Sequence, residues 1–213
     1  MAALTQKRPL PTGWIVAALA VVLVIAVAGV IFGLRRQAQP HLAGGVFTDM
    51  PQAPNFSLRD QNGQTVTMSQ LQGKVVALTF LYTRCPDVCP LIASNMAAAS
   101  QRLGSDAAKM EMLSVSVDPQ NDTLPAVKKF TEDHSLADKP NWHYLIGSPG
   151  ELRPVWDAYH VGSQTATSSS GFSGIEHSAM VYLTDRAGRL RVILPANFTV
   201  SDFVDDVRTL LSA

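Results

Sequence analysis

The chain has 213 residues, of which 46% are hydrophobic and 16% are charged, and this composition excludes disorder over its whole length. Lysine plus arginine and aspartate plus glutamate both number 17, so the formal net charge is zero. Because the chain also lacks a basic stripe interleaved with aromatic residues, we expect no nucleic acid among its partners.

The first predicted element is an apolar helix over residues 13–34, preceded by a short N-terminal tail over residues 1–12. The segment has 22 residues without a charge and would extend about 33 Å as a helix, enough for the hydrocarbon core of a bilayer. We therefore predict a transmembrane anchor. A cleaved signal peptide is the alternative, because residues 26–28 resemble a small-residue cleavage site, although the apolar run continues beyond them.

The charges beside this segment leave its orientation open. Lys7 and Arg8 precede it, and Arg35 and Arg36 follow it, so the two sides are nearly equal in positive charge. A short N-terminal tail and a two-cysteine domain behind the span favour an extracytoplasmic location for the domain of this single-pass protein. Its N-terminus would be cytoplasmic and its C-terminal domain periplasmic, or more generally extracytoplasmic.

Residues 35–50 are predicted to form a linker, and residues 51–213 a single domain with room for a hydrophobic core. The domain begins with a predicted hairpin at an Asn-Gly turn. A nearly continuous apolar strand over residues 75–82 follows, which is typical of a strand covered on both faces. A helix is predicted next, over residues 88–103.

The remaining pattern predicts an alternation of strands and helices that ends in a hairpin and a helix. A polar, glycine- and serine-rich stretch over residues 162–174 is predicted to be a loop. The other predicted elements are a strand at 112–117, a helix at 123–134, a strand at 143–146, a helix at 152–159, a hairpin over 179–194 and an amphipathic helix at 200–211. This order predicts an α/β sandwich around a mixed central sheet.

The chain contains two cysteines, Cys85 and Cys89, directly after the apolar strand. If the chain turns from strand into helix there, residues i and i+4 share a helix face, and both sulfurs can point at one soft metal ion or at each other. A helix N-terminus lowers the pKa of a thiol and favours the thiolate, which binds metals and attacks disulfides. The sequence therefore indicates either a metal site or a redox pair.

Two thiolates make an incomplete metal site. Sulfur ligands favour Cu(I), and imidazole also suits copper, so a histidine would complete the site. His177 is the strongest candidate, because it lies where the polar loop meets the next predicted core strand. Considered without the cysteine pair, His177 would more readily be interpreted as a purely structural residue. The other histidines are interpreted as solvated surface or linker residues: His41, His134, His143 and His160.

Three separated motifs resemble those of the Sco/SenC family. They are residues 80–90 around the cysteines, residues 115–119 with Asp122 and Thr123 close behind, and residues 176–179 before a strand. The resemblance covers nearly the whole chain, including the N-terminal apolar segment. It implies a membrane-tethered, thioredoxin-like copper-binding protein whose domain faces the periplasm, or the intermembrane space in a mitochondrial version.

The resemblance also implies a ligand set and partners. Cys85, Cys89 and His177 would bind copper, as Cu(I), Cu(II) or both, for assembly of the dinuclear copper site in subunit II of cytochrome c oxidase. The partners would be that subunit or another copper acceptor, a periplasmic copper donor, and the membrane through residues 13–34. Many members carry histidine before the first cysteine, whereas this chain has Arg84, a departure that concerns the local electrostatics.

Two carboxylates near the cysteines have two possible roles each. Asp118 either ends a strand and caps a turn before a proline, or, as the family motif implies, tunes metal binding or partner docking. Asp87 either stabilises the helix N-terminus or contributes to partner recognition.

Two other functions use the same cysteines. A thiol-disulfide oxidoreductase would use Cys85 and Cys89 as a redox pair and would reduce the cysteines of the acceptor's copper site. The C-x3-C spacing, rather than C-x2-C, argues against a general oxidoreductase, as does His177 where such enzymes place a cis-proline. A peroxidase-like antioxidant agrees less well with the residues around the cysteines.

Overall fold

Strands from separate parts of the chain combine into one mixed sheet in a computed structural model, which describes residues 12–37, 42–161, 164–167, 173–176 and 179–212. The helices are α1 Thr12–Gln37, α2 Val88–Leu103, α3 Leu124–Asp133, α4 Pro149–Ala158 and α5 Val200–Ser212. The strands are β1 Gly45–Val46, β2 Ser57–Asp60, β3 Thr65–Thr67, β4 Val75–Leu81, β5 Met110–Ser116, β6 Trp142–Ile146, β7 Gln164–Thr167, β8 Ser173–Glu176, β9 Met180–Thr184 and β10 Leu190–Pro195.

The chain divides into two compact units, Met1–His41 and Leu42–Ala213. The first unit contains α1, whose segment Gly13–Val30 is long and apolar enough to cross a membrane. None of that segment is buried within the described structure. Large apolar side chains such as Trp14 therefore need lipid or another apolar surface to cover them.

The second unit is built on a sheet with the strand order β1-β10-β9-β4-β5-β6-β2-β3. Strands β4, β5 and β6 run parallel, and the other neighbours pair antiparallel. This arrangement confirms the predicted α/β class with a mixed central sheet. Helices α2 and α5 pack against each other, and the apolar stripe of α5 is buried as its sequence period predicts.

The two central strands bring two loops together. Every residue of β4 and β5 is buried, which explains their nearly continuous apolar sequence. They pair in register from Val75 with Met110 to Leu81 with Ser116, and Val117 N–H extends the ladder to Leu81 O at 3.0 Å. Because parallel strands end at the same edge, the loop after β4 and the loop after β5 lie side by side.

The prediction of a loop over residues 162–174 is wrong in part. Strands β7 and β8 form a separate antiparallel pair, from Gln164 with Glu176 to Thr167 with Ser173. Glycine and serine dominate the composition of this stretch and conceal the strands. A two-stranded ladder nevertheless pairs the backbone N–H and C=O groups without help from the main sheet.

The second unit begins before the predicted domain boundary. Residues 42–50 belong to it, and β1 pairs with β10 through Gly45 and Ile193. The backbone N–H of Ala43 donates to Oδ1 of the fully buried Asp206 at 2.9 Å. A strand of two residues has no periodicity that a sequence could reveal, so this attachment is visible only in the structure.

Candidate functional site

Cys85 and Cys89 lie in contact at the entrance to α2. Cys85 comes three residues before the helix and Cys89 is its second residue, as the strand-to-helix turn predicts. The backbone N–H of Cys89 donates to Sγ of Cys85 at 3.4 Å. Cys85 is 8% exposed and Cys89 is completely buried, so Cys85 is the more accessible thiol of the pair.

The surroundings make the two thiols chemically different. The hydrogen bond from the Cys89 thiol lowers the pKa of Cys85 to about 6 against the effect of burial, and the backbone N–H groups of Asp87 and Cys89 act in the same direction. The same thiol–thiol hydrogen bond, together with burial, raises the pKa of Cys89. Near neutral pH the site therefore holds a Cys85 thiolate and a protonated Cys89.

Tyr82 is a third side chain at this site that the sequence analysis did not single out. Burial raises the pKa of Tyr82 to about 12, and the charge of Cys85 acts in the same direction. The tyrosine side chain hydrogen-bonds Cys85, and this bond lowers the pKa of the thiol. The phenol therefore stays protonated and stabilises the thiolate.

The two predicted carboxylates lie near the cysteines in different roles. Asp87 is exposed at the N-cap of α2 without a capping hydrogen bond from its side chain, and its backbone N–H turns toward Cys85 instead. The carboxylate of Asp118 accepts two hydrogen bonds from Nδ2 of Asn121, at 3.0 and 2.8 Å, and Arg84 Nη1 donates to Oδ1 of the same Asn121 at 2.9 Å. Asp118 thus closes the turn after β5.

A second aspartate of that loop reaches the cysteine loop directly. Asp122 is buried, and its Oδ1 accepts hydrogen bonds from Thr83 N and Thr83 Oγ1, both at 2.8 Å. Burial raises the pKa of Asp122 above its ordinary value, while its hydrogen bonds act in the opposite direction. In the sequence, Asp122 stands out only as part of a motif, because its partners are distant along the chain.

His177 lies outside the described residues, but the elements beside it are described. Strand β8 ends at Glu176 and β9 begins at Met180. Near the start of β9, Val181 pairs with Thr79 of β4, and Thr79 Oγ1 donates to Met180 O at 2.9 Å. Among the described residues, no group of three or more His, Cys, Asp or Glu side chains could hold a metal ion.

The other histidines differ among themselves. The prediction that His143 is a solvated surface residue is wrong, because Nδ1 lies 2.9 Å from Asp60 Oδ2 and Nε2 lies 3.3 Å from Glu111 Oε2. Nδ1 of the part-buried His134 pairs with Phe130 O at 2.7 Å, and His160 is exposed. His41 lies outside the described residues.

The arrangement offers two soft donors, one of them a thiolate, at the carboxyl edge of a parallel strand pair. Such a pair can bind a soft metal ion, and the thiolate can also attack a disulfide. Which of the two reactions the site performs depends on its third ligand and on its partners.

Comparisons with known proteins identify the family. The profile of the SCO1/SenC family matches residues 48–212. The SCO1 protein homolog of Bacillus subtilis (strain 168) is 32% identical over 157 residues, which are 72% of this chain and 80% of the relative.

Solved structures agree with this match. ScoI of Bradyrhizobium japonicum, solved with copper bound, is 32% identical with a TM-score of 0.65, and the match covers 75% of this chain and 99% of that one. The solution structure of apo Sco1 from Thermus thermophilus is 27% identical with a TM-score of 0.69, covering 82% of this chain and 99% of that one. The chain therefore belongs to the SCO1/SenC family and has its thioredoxin-like fold.

Proposed function

We propose that this protein is a membrane-anchored copper metallochaperone that binds copper through Cys85, Cys89 and His177. It would deliver the metal to the dinuclear copper site of cytochrome c oxidase subunit II or to another copper acceptor. The observation that carries the proposal is the contact between the two cysteines at the entrance to α2, in a member of a family whose solved structures include copper-bound ones.

The chemistry of the donor set fits copper as cargo. Thiolate sulfur is a soft ligand that favours Cu(I), and the two cysteines come from adjoining turns of one backbone segment. Two thiolates give a net charge of −1 with Cu(I) and zero with Cu(II), so the site suits both oxidation states. The lowered pKa of Cys85 means that copper has to displace a proton only from Cys89 near neutral pH.

Strand register supports His177 as the third ligand. The start of β9 pairs with the carboxyl-terminal half of β4, and Cys85 follows β4 along the chain. His177 precedes Met180, the first residue of β9, by three positions. Strand β9 therefore begins at the edge of the sheet where β4 ends, three positions after His177 in the sequence, and the imidazole of His177 would complete a three-coordinate site.

A three-coordinate site also suits delivery. It leaves space for an incoming thiolate or imidazole of the acceptor, which would displace one of the three ligands and then the others. A periplasmic copper donor would load the site by the same exchange in reverse. Asp87 lies between the cysteines along the chain and Asp118 lies in the loop after β5, and we assign the exposed Asp87 to the surface that a partner meets.

A thiol-disulfide oxidoreductase is the second candidate function, and the inequality of the two thiols favours it. The Cys85 thiolate would attack a disulfide of the acceptor and form a mixed disulfide. Cys89 would then lose its proton and displace the acceptor sulfur. The products are a Cys85–Cys89 disulfide and a reduced acceptor, so two electrons pass to the acceptor.

We further propose that residues 13–34 anchor the protein in the membrane, with residues 1–12 cytoplasmic and the domain periplasmic. The exposed apolar surface of α1 supports this proposal. Fusion of alkaline phosphatase after Ala213 tests the orientation, because that enzyme becomes active only after export. An inactive fusion would contradict a periplasmic domain.

Transfer to an acceptor distinguishes the two functions. The copper-loaded full chain in detergent is mixed with a subunit II copper domain whose cysteines are reduced, and the metal on each protein is measured after separation. Metallochaperone function predicts that copper moves to the acceptor while all cysteines stay reduced. Reductase function predicts that the copper-free chain reduces an oxidised acceptor and accumulates the Cys85–Cys89 disulfide, without net copper transfer in the first experiment.

A further inference from the structure

Asp122 is a buried carboxylate whose hydrogen-bonding capacity is filled. It is 4% exposed, and Oδ1 accepts from Thr83 N and Thr83 Oγ1, both at 2.8 Å. Oδ2 accepts from Ser116 Oγ at 2.5 Å and from Tyr144 OH at 3.1 Å. An ionised carboxylate offers about four lone-pair sites, so these four donors occupy all of them.

The donors come from two adjacent strands and from the loop that follows a third. Ser116 is the last residue of β5, Tyr144 lies in the middle of β6, and Thr83 follows β4 by two residues. Thr83 also precedes Cys85 by two residues, so the bonds from Asp122 hold the backbone of the cysteine loop at the edge of the sheet. Cys89, in contrast, is fixed by α2.

We propose that Asp122 is a positioning residue that sets the separation of the two cysteine sulfurs by anchoring Thr83. Cys85 belongs to the anchored loop and Cys89 to the helix, so the anchor determines how often the sulfurs meet. Their effective concentration controls both chelation of one metal ion and closure of a disulfide. The part concerning copper rests on the proposed function, whereas the part concerning the disulfide is independent of it.

Substitution by asparagine tests this role at nearly constant volume. An amide has no negative charge and one acceptor oxygen fewer. The hydroxyls of Ser116 and Tyr144 would have to turn and accept from its NH2, and the bonds from Thr83 would lose their charge assistance, so Asp122→Asn weakens the anchor. Asp60→Asn is the matched control. Asp60 is 1% exposed and accepts bonds from Asn62 N, Gln64 N and His143 Nδ1, none of which belongs to the cysteine loop.

A second pair of variants tests the same anchor from the donor side. Thr83→Val keeps the shape of the side chain and removes the hydroxyl that donates to Asp122, whereas Thr83→Ser keeps the hydroxyl. If Asp122→Asn fails to fold, this pair carries the test alone.

The experiment uses the full chain in detergent and two readouts. The first is the equilibrium with oxidised dithiothreitol, in which the Cys85–Cys89 bond forms, the disulfide of the reagent breaks, and two protons and two electrons pass to the reagent. The second is the rate at which a chelator removes Cu(I). We expect Asp122→Asn to lower the equilibrium constant about tenfold or more and to accelerate copper loss by a similar factor.

The controls define the result that overturns the proposal. Asp60→Asn and Thr83→Ser should stay within about threefold of the parent in both readouts, and Thr83→Val should shift in the same direction as Asp122→Asn. Equal shifts in Asp60→Asn and Asp122→Asn would reduce Asp122 to a general stabilising residue and overturn the proposal. A parent that holds no copper, but whose disulfide equilibrium responds as expected, would contradict the proposed function and support the positioning role.

Discussion

The backbone N–H of Cys89 points at Sγ of Cys85 from 3.4 Å, so the first turn of α2 stabilises a negative charge on the preceding cysteine. The sulfur of Cys85 thus accepts a hydrogen bond from the N–H of the second helical residue, Cys89, which the side chain at the N-cap ordinarily accepts. Asp87, which occupies the N-cap position, makes no such bond with its carboxylate.

Differential alkylation should reveal this inequality in the copper-free protein. The lowered pKa of Cys85, about 6, predicts that iodoacetamide modifies Cys85 with a half-maximal rate near that pH. Cys89 should react only above the ordinary thiol range, because its pKa is raised by its bond to Cys85 and by burial. Mass spectrometry of the modified peptides measures both rates.

The variant Cys89→Ala provides the control for alkylation. It removes the thiol that donates to Cys85, so the pH of half-maximal modification of Cys85 should rise. Equal rates for the two cysteines at pH 7, or no change in the Cys89→Ala variant, would contradict the inequality.

Tyr82→Phe should raise the pKa of Cys85 without unfolding the protein. The substitution removes only the hydroxyl that hydrogen-bonds the thiolate and keeps the ring in the core. The same alkylation profile measures the shift, which should be smaller than that of Cys89→Ala, since the bond from Cys89 is the larger cause. Tyr182→Phe is a matched control, because the hydroxyl of Tyr182 donates to Tyr159 O. A shift of equal size in the control would contradict a specific role for Tyr82.

The cysteine pair shows what the sequence predicts well. The strand over β4, the helix α2 and the shared face of Cys85 and Cys89 all depend on local patterns, namely an apolar run and a spacing of four. Asp122 and Tyr82 were recorded only within motifs. The role of Asp122 depends on contacts across neighbouring strands, and the strand order that creates those contacts is not a local property of the sequence. Tyr82 contacts Cys85, three residues along the chain, through a turn whose geometry the apolar pattern does not reveal.

A cluster at the opposite edge of the sheet should make stability depend on pH. Burial lowers the pKa of His143, but hydrogen bonds to Glu111 and Asp60 outweigh it and hold the pKa above its ordinary value. Lys74 also faces Glu111. Burial raises the pKa of Glu111, but its bonds with His143 and Lys74 outweigh burial and hold that pKa below its usual range. A raised histidine pKa gives stability that is fully present below about pH 6.5 and is lost as pH rises through the folded-state value.

Urea unfolding of the parent and of His143→Gln at a series of pH values measures this contribution. The parent should have the larger free energy of unfolding, and its excess over the variant should be greater at pH 6 than at pH 9. The charged histidine that causes this excess is present only at the lower pH. A difference that grows with rising pH would contradict the sign of the shift.

Gly44→Ala should destabilise the second unit although the residue lies in the stretch that the sequence predicts to be a linker. A Cβ at Gly44 would lie 2.7 Å from Cγ1 of Val192 and would also collide with the backbone oxygen of Ile193. We expect a loss of about 1–3 kcal/mol, as for other overpacked sites. Thermal unfolding of the full chain in detergent measures it.

Gly150→Ala is the matched control for Gly44→Ala. A Cβ at Gly150 would meet only Ser148 Oγ, at 4.0 Å, and alanine favours the helix that contains it. We expect no loss and a gain of up to about 1 kcal/mol. Equal stability of Gly44→Ala and the parent would show that the attachment through β1 does not contribute to the fold.

The same region shows why the strand β1 and the hairpin β7–β8 were not predicted. Strand β1 has two residues, and its stability comes from pairing with Ile193 and Val192, far along the chain. The stretch around β7 and β8 has the composition of a loop, and only the pairing of Gln164 with Glu176 identifies it as a ladder. In both cases long-range pairing overrides a weak local signal.

Titration of the reduced protein with Cu(I) against a competing chelator tests the central claim most directly, with His177→Ala and the exposed-site control His160→Asn in parallel. The account predicts one tightly held copper per chain in the parent and in His160→Asn. In His177→Ala it predicts that the affinity for Cu(I) falls by about a hundredfold or more. Unchanged affinity in His177→Ala would contradict the three-ligand site. Weak binding in all three proteins would contradict the metallochaperone and favour disulfide chemistry at Cys85 and Cys89.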